Sequence, residues 1–179
     1  STAGVSGANQ TYDTGEAYKF DGTDDYIDVD STPSITEGDF SVSVWAKSTG
    51  PSKRPAAISQ GNPAQWPDEL IVFYIGEEKD GSQQARVWWE ETALTTPIPT
   101  DGAYHHYTLT KDGDTLTLYI DGAEAETATT NGNTWVSNST TIGGANYNRT
   151  RVQNYNGSLD DTRIYDKALS EQEVSNLYS

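Results

Sequence analysis

Residues 105–122 read His-His-Tyr-Thr-Leu-Thr-Lys-Asp-Gly-Asp-Thr-Leu-Thr-Leu-Tyr-Ile-Asp-Gly, and this stretch decides the fold class. Leu116, Leu118 and Ile120 alternate with Thr115, Thr117 and Tyr119, so a strand over Thr115 to Ile120 turns one set to a core and the other to its second face. The preceding segment, His105 to Thr110, pairs with it across Lys111-Asp-Gly-Asp114, where Asp112-Gly113 accepts positive φ. A slip of one residue would turn both leucines to water, so the hairpin register is strongly specified.

The same grammar recurs outward from this hairpin. Short alternating segments run over Ala17 to Phe20, Tyr26 to Val29, Phe40 to Lys47, Ala56 to Gln60, Leu70 to Ile75, Gln84 to Glu90, Thr140 to Gly143 and Ser158 to Tyr165. Asp21-Gly22, Asp80-Gly81, Asp121-Gly122 and Asn156-Gly157 supply further turn pairs. That many strands in 179 residues make a two-sheet sandwich, and the length fits one domain over 17–179. Residues 1–16 are polar and Gly-rich without alternation and read as a linker or lead-in. Near the C-terminus Ser170-Glu-Gln-Glu173 forms a capping box, so a short helix follows, with Leu169, Val174, Leu177 and Tyr178 roughly on one side to seal an end of the sandwich.

Composition excludes several partners. Against 27 acidic residues stand 11 Lys and Arg, a net charge of −16 spread along the chain. A basic stretch such as Arg149-Thr-Arg151 is too little to release counterions from a nucleic acid or to hold an anionic membrane. Such charge repels itself in dilute buffer and is screened to within about 3 Å at ~1 M salt, which points to a halophilic source. Cysteine is absent, so there is no disulfide and no thiol chemistry. No apolar run has membrane-spanning length, and the chain, starting without Met, reads as a piece of a longer exported protein. Four Asn-x-Ser/Thr sequons, at Asn9, Asn138, Asn148 and Asn156, are compatible with export.

Several segments together resemble the laminin-G-like branch of the concanavalin A-like lectin/glucanase superfamily. Phe20-Asp-Gly-Thr-Asp-Asp-Tyr-Ile27 is similar to its opening strand, and Asp39-Phe-Ser-Val-Ser-Val-Trp-Ala46 to an early core strand. Tyr104 to Gly113 resembles its middle motif, with Tyr104 where Trp is common, and Leu116 to Gly122 the hairpin that follows. Gly157-Ser-Leu-Asp-Asp-Thr-Arg-Ile-Tyr165 with Ala168-Leu-Ser170 resembles the closing strand and helix. The resemblance implies an all-β jelly-roll sandwich of two antiparallel sheets with a short C-terminal helix. It also implies a structural calcium where the first and last strands meet, held by Asp21, Asp24 and Asp160. Asp160 is preferred to Asp161, which can pair with Arg163 on its own face.

The fold hosts lectins, adhesion domains and glycosidases alike, so residues must separate them. The carboxylate pair of the glycosidases, written ExDxE on one strand, is absent; Glu124 and Glu126 alone have the spacing for one strand face. There is no GxSxG nucleophile motif, and the adjacent His105 and His106 point to opposite faces of a strand, one packed and one exposed. The expectation is a non-enzymatic module.

Sugar recognition uses flat aromatic rings flanked by planar polar groups. In Ala85-Arg-Val-Trp-Trp-Glu90 the alternation sends Ala85, Val87 and Trp89 to the core and leaves Arg86, Trp88 and Glu90 on the other face. Trp66 in the Asn62 to Pro67 loop, and Tyr147, Arg149 and Tyr155 in the Asn146 to Tyr155 loop, complete the candidate site, whereas Trp45 is a packing residue. The expected function is carbohydrate binding by a lectin-like domain of a larger secreted or cell-surface protein. The alternatives are a protein-interaction or adhesion domain and, third, a glycoside hydrolase. The expected partner is a glycan or cell-surface ligand, outside the cell.

Overall fold

The computed structural model describes residues 11–12, 17–30, 38–50, 52–61, 69–89, 92–130, 139–147, 150–151 and 153–179. With strands numbered in chain order, one sheet has seven strands. They lie in the order β1 (Thr11–Tyr12), β2 (Tyr18–Asp21), β15 (Asn156–Tyr165), β4 (Phe40–Ser48), β9 (His105–Asp112), β10 (Thr115–Ile120) and β11 (Ala123–Thr129). The facing sheet has six, in the order β3 (Ile27–Asp30), β12 (Ser139–Ile142), β5 (Ala56–Gly61), β6 (Glu69–Lys79), β7 (Ser82–Trp89) and β8 (Thr92–Pro97). A small hairpin, β13 (Asn146–Tyr147) and β14 (Thr150–Arg151), stands apart. The strand pairings are antiparallel, as the sandwich expectation requires.

The hairpin that decided the fold has the register its pattern dictates, with Leu116 opposite Lys111 and Leu118 opposite Leu109, and both leucines fully buried. The core lies between the sheets and is closed by aromatic contacts across the gap. Phe40 of β4 stacks on Trp89 of β7 at 5.5 Å, and Phe73 of β6 meets Tyr107 of β9 edge-on at 6.3 Å.

Turn chemistry explains most joints. Asp80-Gly81 and Asp121-Gly122 both have positive φ at both residues, matching the twist of the strands they join. Asn156-Gly157 differs from expectation: it is not a turn but the start of β15. Glycine is needed there because a Cβ would come within 2.2 Å of the Lys47 carbonyl on β4. Two strands, β8 and β11, lie outside the expected segments; β8 alternates, with Leu94 and Thr96 buried between more exposed neighbours, and β11 does not. Every residue of β11 from Ala123 to Thr127 is exposed, so an edge strand carries no hydrophobic signature. Part of the expected lead-in is also structural, since Thr11–Tyr12 pair with β2; the rest of 1–16 lies outside the described residues.

The capping box forms: the Ser170 side chain accepts from the Glu173 N–H, Glu173 accepts from the Ser170 N–H at 2.9 Å, and α1 (Glu171–Tyr178) follows. Instead of sealing an end, α1 lies on the outer face of the seven-stranded sheet. Val174 and Leu169 pack with Tyr119, while Trp45 stacks on Tyr178 at 5.7 Å and tilts against His106 at 5.1 Å. Among the described residues no helix is long and apolar enough to cross a membrane.

Candidate functional site

The outer face of the six-stranded sheet carries β7 residues alternating away from the core. Ala85, Val87 and Trp89 are buried inward, and Trp88, 36% exposed, points out with Arg86. Cross-strand pairing puts Trp88 between Val72 on β6 and Ala93 on β8, and Arg86 between Tyr74 and Thr95. Half of this face is roofed. The chain leaving β12 folds back so that Ala145 packs on Ala56, Val72 and Tyr74. Tyr74 donates its hydroxyl to Gln153 at 2.7 Å, and Ser59 donates to the Gly144 carbonyl at 2.9 Å. Among the described residues nothing covers the β7–β8 half, and the roof forms a wall along one side.

Within the open half the polar groups are organised. The Arg86 guanidinium lies 4.8 Å over the Trp88 ring and donates to Glu77 at 3.3 Å, a carboxylate that a register shift after Ile75 brings to this face. One indole face is therefore taken by the cation, and Trp88 as a whole stays 36% exposed. Gln84, two residues before Arg86, has a buried Oε1 with no partner among the described residues. The strip thus presents a fixed guanidinium and an indole side by side.

The other expected contacts divide. Trp66, Glu90 and Arg149 lie outside the described residues, and Tyr147 is described only as backbone of β13. Tyr155 is corrected: it is fully buried, edge-on to Phe20 at 6.2 Å, because the return from the hairpin to β15 passes through the core. It offers nothing to a ligand.

The acidic loop after β2 is also rearranged. Carboxylate oxygens of Asp21, Asp24 and Asp25 lie within 4.8 Å of one another. Asp160 does not join them, because β15 places Asn156, not Asp160, opposite Asp21; Asp160 sits opposite Trp45 and accepts the Asp161 N–H at 2.8 Å. Four residues of strand separate the two positions, roughly 13 Å. Asp25, which sequence reasoning passed over, is the buried member. Its Oδ2 accepts the Asp21 N–H at 3.0 Å, while Oδ1 is buried with no partner among the described residues. Burial pushes its carboxyl above the ordinary value, and the charges of Asp21 and Asp24 add to this against the one backbone hydrogen bond. A hard cation fits that donor set, since it would give Oδ1 a partner and offset the carboxylate repulsion. The pairing of Asp161 with Arg163, at 2.9 and 2.6 Å, is as expected.

The strand that could have held a catalytic pair does not. A bulge at Ala125 makes Glu126 face Leu118 and Glu124 face Tyr119. Leu118 and Tyr119 point to opposite sides of β10, so the two carboxylates do not share a face.

Residues 21–175 match the family model described as the concanavalin A-like lectin/glucanases superfamily. Comparison with curated proteins finds no match. Among solved structures, domain 4 of AbnA, a GH43 extracellular arabinanase from Geobacillus stearothermophilus in complex with arabinotriose, is 22% identical with a TM-score of 0.68. The match covers 98% of this chain and 82% of that one. The SAP-like pentraxin of Limulus polyphemus is 17% identical with a TM-score of 0.72, over 90% and 80% of the two chains. The CBM40 of the Ruminococcus gnavus IT-sialidase, bound to α2,3-sialyllactose, is 16% identical with a TM-score of 0.67, over 80% and 84%. At these identities the likeness is one of fold.

Proposed function

The chain belongs to the concanavalin A-like lectin/glucanase superfamily, and from that premise we propose that it is a non-catalytic carbohydrate-binding module of a larger secreted or cell-surface protein, with the Arg86–Trp88 strip as its binding surface. The observation that carries this reading is Trp88, 36% exposed on an outer face that no helix among the described residues covers. An indole beside a fixed guanidinium supplies a stacking plane and hydroxyl-bonding N–H groups together. Support comes from two of the compared structures, which are sugar complexes, the arabinanase domain with arabinotriose and the CBM40 with α2,3-sialyllactose. The split of Glu124 and Glu126 to opposite faces supports the absence of a hydrolytic pair.

Calcium belongs to the same proposal, with Asp21, Asp24 and Asp25 as its donors and a structural role at the β2 end of the sandwich. The acid-rich surface is read as an adaptation to salt. A glycan array probed with calcium, and again after chelation, tests the function. Signal on a class of glycans, lost in Trp88→Ala, supports it; a silent array from folded protein overturns it in favour of a protein-interaction domain.

A further inference from the structure

A second polar centre lies at one end of the sandwich, where β4 ends and β9 begins. A cleft of about 160 Å³ opens beside the end of β4 and the β8–β9 connection, lined by Ser48, Gln83, Pro99, Gly102, His105 and Tyr107 among others. His105 stands at its rim with both ring nitrogens engaged. Nδ1 is 2.6 Å from Asp121 Oδ2 on the β10–β11 turn, and Nε2 is 3.0 Å from Asp101 Oδ1 on the β8–β9 connection. We propose that the β8–β9 connection is a pH-sensitive strap: doubly protonated His105 clasps it to the β10–β11 turn, and loss of one ring proton releases its Asp101 side and loosens the cleft rim.

Proton counting drives the argument. A neutral imidazole carries one N–H and one lone pair, so it cannot donate to two carboxylates; only the imidazolium satisfies both contacts. Asp121 keeps the remaining proton. Its contact is the shorter, its Oδ1 also accepts the His106 N–H at 2.9 Å, and its side chain is 28% exposed. Asp101 has a side chain 60% exposed and otherwise accepts backbone N–H groups of its own turn, that of Ala103 at 2.9 Å. Deprotonation therefore points the Nε2 lone pair at the Asp101 carboxylate, and the contact becomes repulsive. Gly102, at φ +75° with open space around it, supplies a hinge.

Among the described residues no third charge competes with the clasp. On β4, opposite His105, lies Ala46; the neighbouring Lys47 amine sits 5.8 Å over the Tyr104 ring. Tyr107, on the same side of β9, is a buried phenol pushed up by desolvation and stays neutral. Burial alone would lower the His105 pKa, but the hydrogen bonds and charges of Asp101 and Asp121 outweigh it and hold it above the ordinary value.

The test follows His105 and the strap amides of the whole chain by NMR from pH 5 to 9. The His105 ring is expected to titrate above the ordinary histidine range, with the Gly102 and Ala103 amide shifts following the same curve. Asp101→Asn, at an exposed position, lowers the midpoint and uncouples the amides. His105→Gln speeds Ala103 amide exchange at pH 5.5 by roughly threefold, the scale of a partly exposed ion pair. Strap amides insensitive to His105 titration, or a midpoint unchanged in Asp101→Asn, would overturn the proposal.

Discussion

The two outer faces of this sandwich are built from the same alternating strands and meet different fates. On the seven-stranded sheet the second face carries Trp45, His106 and Tyr119, and α1 lies over them; on the six-stranded sheet it carries Trp88 and Arg86, and only its β5–β6 half is roofed. An outward tryptophan is therefore not by itself a sign of recognition. What separates Trp45 from Trp88 is whether another part of the chain covers the ring.

If that distinction is right, damage to the two faces has opposite signatures. Leu169→Ala, beneath the helix, removes a buried side chain and is expected to cost about 2–3 kcal/mol, seen as a fall in Tm of roughly 5–10 °C, with glycan affinity retained. Trp88→Ala is expected to leave Tm nearly unchanged, within ~0.5 kcal/mol, while glycan binding weakens by about tenfold. A variant pair that lost stability and binding together at both positions would erase the comparison. Ser170→Ala, which removes the helix cap, is a milder probe of the covered face. It should cost about 1 kcal/mol in urea denaturation, without touching the open strip.

The adjacent histidines sharpen the comparison by pH. His106, buried beneath Trp45, is held below its ordinary pKa by desolvation, whereas His105 is held above it by its two carboxylates. The signs differ accordingly. The His105 contribution is complete below about pH 6.5, the ordinary value, and is lost as pH rises through its raised midpoint. The His106 cost appears as pH falls from about 6.5 through its depressed midpoint, when the unfolded chain takes up a proton the covered face resists. Thermal scans of His106→Gln against pH should lose the acid-side decline alone. The smallest effect expected is that of salt: Tm rises from dilute buffer to ~1 M as acidic repulsion is screened.

Much of the fold is legible in the sequence because burial writes a period of two into each strand that has one wet and one dry face. Leu116, Leu118 and Ile120 announce β10, and Ala85, Val87 and Trp89 announce β7. Where both faces are wet the signal vanishes, as in β11, and a bulge such as the one at Ala125 cannot be read from i, i+2 spacing. The seat of α1 is equally hidden, since an amphipathic helix declares that one side is covered but not by what. At the candidate sites, local pattern placed Arg86 and Trp88 on one face. It failed for Tyr155, whose burial depends on the return path to β15, and for Asp160, whose distance from Asp21 depends on strand register. Asp25 and the Asp101–His105–Asp121 bridge were invisible for the same reason: their partners are brought by turns, not by spacing.

The central claim is that the uncovered strip binds sugar through Trp88. Its most direct test is calorimetric titration of the strongest array glycan into the wild type and into Trp88→Ala, each with a thermal scan. The account predicts about a tenfold weaker Kd, close to 1.4 kcal/mol, at an unchanged Tm. Equal affinity in the two proteins would contradict it.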